Sequence, residues 1–260
     1  MIQPLEGYAV LVTRPAEQAG ALIREIGQLG GQVLFAPMIE VQALTTPAIQ
    51  EVLQRLDEYQ MVIFISKNAA EFGLKRIKEA RRMFSTQNVF AVGIGTATRL
   101  CELGINEVHT PQSEFSSEGL LKLAGLSARA INGKRALIIR GVGGRELLAQ
   151  VLHRRGAQVD YCEVYARTVP SFRLGDVLNA SKRVAPDIAV ISSAEALANL
   201  AEKIEQEGLT HLYDVPLMVA GERTAAEVER LGFTQGPIII DNPGDRSTVE
   251  ALVRWVSNEQ

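Results

Sequence analysis

The chain has 260 residues, 47% hydrophobic and 22% charged, a balance that lets a globular protein bury a core in one large domain or two small ones. A formal net charge of −3 excludes a general nucleic-acid binder, which needs a basic face, yet leaves room for an anion held by local N–H groups and a few Arg side chains. Apolar runs such as Met61–Ile65 are far too short to span a bilayer, which predicts no membrane partner. The N-terminal "MIQPLEGYAVLVTRP" lacks the basic-then-apolar order of a signal peptide. Two Cys and three His are scattered singly, without metal-ligand spacing. A cytoplasmic protein with reduced thiols, no metal and no cofactor is expected.

In chain order, "YAVLVT", "GQVLFA", "MVIFIS", "VFAVG", "RALIIR", "AQVDYC", "DIAVIS", "PLMVAG" and "GPIIID" read as short strands. Between them lie segments with apolar residues at helical spacing, such as Ala19, Leu22, Ile23 and Ile26. Continuous apolar strands alternating with amphipathic helices predict an α/β protein with parallel sheets covered on both faces.

The order of these elements repeats. "AVLVTRPAEQAGALIREIGQLGGQV" from Ala9 resembles "ALIIRGVGGRELLAQVLHRRGAQV" from Ala136, displaced by 127 positions. "FISKNAAEF" from Phe64 resembles "VISSAEALA" from Val190, displaced by 126. "VGIGTATRLCELGI" from Val92 resembles "AGERTAAEVERLGF" from Ala220, displaced by 128. "SEGLLKL" resembles "TVEALVR" at a displacement of 131, with Ser117 and Thr248 expected as helix caps. Four units in one order at a near-constant offset indicate a duplicated domain. The repeat leaves two topologies open: a straight split near residue 130, or units that exchange their first elements. The long β-rich stretches "LFAPMIEVQAL" and "DYCEVYARTVP", broken by Pro37 and Pro170, would make a two-stranded bridge in the second case.

Each repeated unit puts small, hydroxyl or Arg residues where a strand ends and a helix begins: Thr13, Arg14, Ser66, Thr96, Arg140, Gly141, Gly144, Ser192, Ser193 and Thr224. In open α/β sheets that edge binds ligands. Unpartnered N–H groups and the positive dipole end suit carboxylates there. Arg14, Arg140 and Arg145 are candidates for bidentate carboxylate recognition, and Lys67 and Arg223 stand at equivalent loop edges. The same Ser and Thr residues serve equally as helix caps, and Arg145 equally as a surface ion-pair partner. "VGIGTAT" lacks the third glycine of a dinucleotide fingerprint, and no GxxxxGK[ST] loop occurs, so neither nucleotide motif is supported.

Taken together, "LVTRP", "FISKNAAEF", "VGIGTATRLCELG", "IIRGVGGRELL", "VYARTVP" and "GERTAAEVERLGF" resemble the uroporphyrinogen-III synthase family across essentially the whole chain. The resemblance implies two flavodoxin-like, doubly wound parallel-sheet domains joined by a two-stranded β-linker. It favours the exchanged topology: 1–36 with 171–260, and 41–163, with linker strands at about 37–40 and 164–170. It further implies a cofactor-independent lyase that closes hydroxymethylbilane, a polycarboxylate tetrapyrrole, to uroporphyrinogen III in an interdomain cleft, losing water and inverting ring D. Tyr165 then acts as the catalytic phenol, and a monomer in transient contact with the preceding pathway enzyme is expected. "ERT" at Glu222–Thr224 departs from the proline-bearing loop often found in the family, which weakens Glu222 and Arg223 as ligand contacts but not Thr224. The alternative is a non-catalytic two-domain tetrapyrrole-binding or regulatory module. A nucleotide-sugar or phosphate enzyme on doubly wound domains ranks behind it.

Overall fold

In the computed structural model, which describes residues 3–85, 87–240 and 244–259, the elements follow in the order β1 (Ala9–Val12), α1 (Ala16–Gln28), β2 (Gln32–Phe35), β3 (Glu40–Ala43), α2 (Pro47–Gln54), β4 (Met61–Phe64), α3 (Lys67–Glu79), β5 (Asn88–Ala91) and α4 (Ile94–Glu102). There follow α5 (Ser117–Leu120), α6 (Ala128–Ile131), β6 (Arg135–Gly141), α7 (Leu147–Arg154), β7 (Gln158–Thr168), α8 (Leu174–Ala180), β8 (Ile188–Ile191) and α9 (Ala194–Glu207). The chain ends with β9 (Leu217–Ala220), α10 (Gly221–Val228), β10 (Ile238–Ile240) and α11 (Asp245–Glu259).

Two compact units result, Met1–Glu40 with Thr168–Gln260, and Val41–Arg167. The first unit's sheet runs β10-β9-β8-β1-β2 with every described pair parallel. Renumbered within the unit this is the order 2-1-3-4-5 of a flavodoxin-like doubly wound fold. The second runs β3-β7-β6-β4-β5, in which β7-β6-β4-β5 reproduces the order 2-1-3-4. A lone parallel bridge between Phe90 and His109 stands where β10 stands in the first unit. Each unit thus takes two strands from one copy of the repeat and the remainder from the other. The strand after the first crossing, β3, lies beside β7 in the second sheet.

The central strands are apolar along their whole length because helices cover both faces. Alternate residues of the first sheet enter opposite cores. Ala9, Leu11, Ala189 and Ile191 pack with α8 and α9, and Val10, Val12, Ile188 and Val190 pack with α1 and α11. In the second unit Val62, Phe64, Leu137 and Ile139 meet α2, α3 and α4, while Met61, Ile63, Ala136 and Ile138 meet the other face. Fully burying one such side chain contributes roughly 1.5–3 kcal/mol.

Two sequence expectations shift. Strands β4 and β8 and the helices after them are displaced by 127 positions, so the counterpart of Ser66 is Ser193, one residue beyond the pairing the aligned letters display. The fourth repeated unit also diverges: α11 runs for 15 residues, whereas its counterpart in the second unit is broken into α5 and α6, of 4 residues each. Gly125 lies in the break between them, where α11 carries no glycine, and an interior glycine costs about 1 kcal/mol of helix. The cap of α5 is Ser116, whose Oγ accepts from Gly119 N at 3.1 Å, rather than Ser117. Thr248 lies inside α11 and donates to Gly244 O at 2.8 Å.

Gly73 marks the closest approach of α3 to the sheet, since a Cβ there would lie 2.7 Å from Ile139 Cγ2 and 3.1 Å from Phe64 Cε1. Replacing Gly73 with Ala is therefore expected to destabilise the protein by about 1–3 kcal/mol, read as a lower denaturation midpoint at unchanged slope. Burial pushes the Cys162 thiol up to about 12, while Cys101 is exposed. One thiol of the native protein is expected to react rapidly with a disulfide reagent at neutral pH and two after denaturation; two fast thiols in the native state would contradict this packing.

Candidate functional site

In the second unit the C-terminal edge of the sheet brings together residues from three strand ends. Strand β4 ends before Ser66, the N-cap of α3, whose Oγ accepts from Ala69 N at 3.0 Å. Strand β6 ends at Gly141. Beside it, β7 carries one extra residue: Arg140 pairs with Glu163 but Gly141 pairs with Tyr165. The bulge turns two consecutive residues, Val164 and Tyr165, into the same core, where regular alternation would send them to opposite faces. Tyr165 is consequently 4% exposed, with its ring 5.9 Å from that of Phe72 and its hydroxyl 3.0 Å from Ser66 Oγ. Gly141 makes room for it. A Cβ at that position would lie 2.5 Å from Tyr165 Cε2 and 2.6 Å from Cζ. Residues 164–167, expected as linker strand, are strand within β7 and fall in this unit.

Arg140 is 3% exposed and fixed on several sides. Its Nη1 donates to Glu146 Oε1 at 3.2 Å, its Nε to Gly141 O at 3.1 Å, and its guanidinium lies 4.6 Å from the Tyr161 ring centre. Glu163 stands 3.8 Å from Nε. The hydrogen bond from Tyr161, reinforced by the Arg140 charge, holds the Glu146 carboxyl below the usual range. Burial, and donation to that carboxylate, push the Tyr161 phenol up to about 12. Gly143 and Gly144 adopt positive φ (74° and 95°), and a Cβ on Gly144 would sit 3.0 Å from Arg140 Nη2, so the loop folds tightly over the guanidinium. Arg145 pairs with Glu118 at 2.8 Å and lines the same edge as Arg140. A cavity of about 260 Å³ opens at this edge, with Arg140, Tyr161, Phe115, Ile65 and Val92 in its wall.

Thr96 lies in the first turn of α4 and is 7% exposed; Gly93 is the N-cap of that helix. The side chain of Lys67 passes over Gly95, whose Cβ would meet Lys67 Cε at 2.8 Å. Lys67 is exposed and makes no ion pair among the described residues, so it is a free cation at this edge. The strand-end rule singles out hydroxyls and Arg and gives Lys67 only a weak claim. Its position over α4 depends on the packing of α3 against α4, which no local motif encodes.

The corresponding edge of the first unit is more self-contained. Thr13 is fully buried and its Oγ1 donates to Val190 O at 2.8 Å, lacing β1 to β8 instead of facing a ligand. Arg14, 7% exposed, forms an ion pair with Asp245 and donates from Nη2 to Thr248 Oγ1 at 3.2 Å. Its guanidinium pins the first turn of α11, a structural use of a residue that sequence alone offers as a carboxylate ligand. Ser193 caps α9 by accepting from Ala196 N at 3.2 Å. Ser192 precedes it, and its hydroxyl makes no hydrogen bond within the described residues. Thr224 is 2% exposed in the first turn of α10. Among the described residues no group of three or more His, Cys, Asp or Glu is placed to hold a metal ion, and no helix is long and apolar enough to cross a membrane.

The fold and these edges define a class: a duplicated, doubly wound α/β protein whose two units exchange their leading strands. The comparisons name the family within it. The family model described as uroporphyrinogen-III synthase HemD matches residues 20–240. The chain is 32% identical over 247 residues to the uroporphyrinogen-III synthase of Salmonella typhimurium, covering 94% of this chain and 99% of that one. Identity to the Escherichia coli protein of the same name is 31% over 247 residues, with the same coverage. The chain therefore belongs to the uroporphyrinogen-III synthase family. Among solved structures, a mutant of the synthase from the extreme thermophile Thermus thermophilus aligns with a TM-score of 0.65 at 16% identity, covering 98% of this chain and 100% of that one. That of Helicobacter pylori aligns at 0.58 and 15%, covering 95% and 99%. Both show the shared fold.

Gly141→Ala is expected to press a methyl group into the Tyr165 ring, costing about 1–3 kcal/mol of stability and moving the phenol away from Ser66. Loss of the Phe72–Tyr165 ring contact in side-chain NMR, with the fold retained, is the measurement that checks it.

Proposed function

We propose that the protein closes hydroxymethylbilane to uroporphyrinogen III, with loss of water and inversion of ring D. The observation that carries this reading beyond family membership is Tyr165: a phenol at a strand edge whose only hydrogen-bond partner among the described residues is a serine hydroxyl. Tyr161, four residues earlier, is bound to the Glu146 carboxylate and so is not available in the same way.

The substrate is a string of pyrroles carrying acetate and propionate groups. In this reading its carboxylates meet backbone N–H groups at the first turns headed by Ser66 and Ser193, with Thr96, Thr224 and the Ser192 hydroxyl alongside. Lys67 adds one exposed positive charge. The cavity over Arg140 has apolar walls from Ile65, Val92 and Phe115, suited to a pyrrole ring with its acid arm toward the guanidinium. Charge-assisted hydrogen bonds contribute roughly 1.5–3 kcal/mol each, so a few are enough to hold the chain folded on itself. We infer that the enzyme works as a cytoplasmic monomer that receives its labile substrate from the preceding enzyme.

The chemistry asks little of acid–base groups. The nitrogen lone pair of ring A expels the terminal hydroxyl, the C–O bond breaks, and an azafulvenium cation forms. The oxygen leaves as water, with Tyr165 donating to it as charge builds. The substituted carbon of ring D attacks the cation to give a spiro intermediate, which rearranges to the inverted ring. The proton released as the pyrrole regains aromaticity balances the one carried off in water. Catalysis lies in folding the substrate so that this carbon is attacked before unassisted closure yields isomer I, an effect of positioning.

Incubation of the protein with freshly prepared hydroxymethylbilane is expected to give isomer III; isomer I alone, at the uncatalysed rate, overturns the reading and favours a non-catalytic tetrapyrrole binder. Tyr165→Phe is expected to slow turnover roughly 10- to 100-fold without abolishing it, because one hydrogen bond to a developing charge is lost while positioning remains. Complete inactivity of a folded variant contradicts that division of labour.

A further inference from the structure

The hydroxyl of Ser66 does two things at once. It accepts the Ala69 N–H from the first turn of α3 at 3.0 Å, and it lies 3.0 Å from the Tyr165 hydroxyl. A serine hydroxyl has one proton to give. No other acceptor for it appears among the described residues, and Tyr165 has no other partner there. Either hydroxyl can donate in this bond; with Ser66 donating to Tyr165 Oη, the serine both accepts and donates, and the one proton without an acceptor among those residues is the phenol's own.

We propose that Ser66 is a positioning residue that relays the polarity of the α3 N-terminus to Tyr165. The chain runs Ala69 N–H to Ser66 Oγ, Ser66 O–H to Tyr165 Oη, and Tyr165 O–H outward to the departing hydroxyl. Each hydrogen bond in such a series polarises the next, so the helix N-terminus makes the phenol a better donor than it is alone. The relay also fixes the rotor. A phenol whose oxygen accepts from Ser66 directs its own hydrogen away from the serine.

Three features of the unit serve this geometry. Helix α3 has 13 residues, long enough for a developed dipole. The bulge at Val164 turns Tyr165 toward Ser66. Gly141 leaves room for the ring, which a methyl group would enter at 2.5 Å. The counterpart serine in the first unit, Ser193, caps α9 in the same way but has no phenol bound to it among the described residues. Capping alone accounts for Ser193; the second hydrogen bond is particular to Ser66.

The inference rests on the synthase reading, and two variants separate it from a plain capping role. Ser66→Gly removes the hydroxyl while keeping a competent N-cap, so α3 retains its start. Ser66→Thr keeps both hydrogen bonds. Expected for Ser66→Gly is a kcat about five- to tenfold lower per folded enzyme, with KM within about twofold, because one hydrogen bond acting through Tyr165 is lost. Ser66→Thr is expected to restore kcat. The Raman doublet of tyrosine, taken as the difference between each ligand-free protein and its Tyr165→Phe counterpart, reports the relay without turnover. Its higher-frequency component is strong when the phenol oxygen accepts and weakens when that donor is removed. Wild type and Ser66→Thr are expected to share the accepting signature and Ser66→Gly to lose it. An unchanged doublet in Ser66→Gly, or equal kcat in the Gly and Thr variants, overturns the relay while leaving isomer III formation by the wild type, and so the synthase reading, intact.

Discussion

The parallel ladder between β1 and β8 is the constraint on which the first unit depends. Val10 sits opposite Ile188 and Val12 opposite Val190, on strands almost 180 residues apart in the chain. Ala9 N donates to Asp187 Oδ2 at 2.6 Å, Asp187 N to Ala9 O at 2.8 Å, and Thr13 Oγ1 closes the far end on Val190 O. The ladder of β6 with β4 does the same for the second unit. Neither unit has a complete sheet until a strand from the other copy of the repeat is inserted at its centre. Such long loops raise the entropic cost of closure only logarithmically, and the cost is offset by two faces of apolar burial per sheet. Slow formation of each unit is the kinetic consequence, since most of the stabilising contacts are distant in sequence.

The same insertion creates the edge chemistry. At the seam between inserted and resident strands the connections leave in opposite directions, and the C-terminal ends there are not covered by a crossover. In the second unit that seam lies between β6 and β4, and Gly141 and Ser66 stand at its two sides. Tyr165 reaches it from the neighbouring β7 because of a single extra residue in the strand. Packing decides which strand-end residues are free to meet a ligand. Thr13 and Arg14 are held by Val190, Asp245 and Thr248, whereas Lys67 and the Ser192 hydroxyl are not so held. Duplication thus placed equivalent residues at equivalent strand ends, and the two units then diverged in what those residues touch.

Much of this was legible in the sequence. The apolar runs correspond to β1, β2 and β4 through β10, most plainly at β1, β4 and β8, which are buried along their whole length and carry no polar positions. The repeat announced a duplicated architecture, and the family resemblance carried its activity. The site was legible only by position. The letters at Ser66 and Ser192 align, yet it is Ser193 that matches Ser66 in space, since one residue of offset is invisible to a similarity of short motifs. Arg14 and Arg140 both look like carboxylate ligands in the chain, and both turn out to have internal partners, which depend on side chains more than 200 residues away in one case and on the β6–β7 register in the other.

Sequence by itself determined the element types, the doubling and the edge on which chemistry can occur, because periodicity, hydrophobic runs and turn residues act over a few residues. The repeat left open which copy supplies each strand, and only the family resemblance favoured the exchange; tertiary structure alone decided which Arg residues remain inside the fold and which serine meets the phenol. Those outcomes follow from contacts between segments that share no local code. The Ser66–Tyr165 hydrogen bond needs a helix cap, a glycine and a one-residue bulge to coincide at one point, and only the folded chain brings them there.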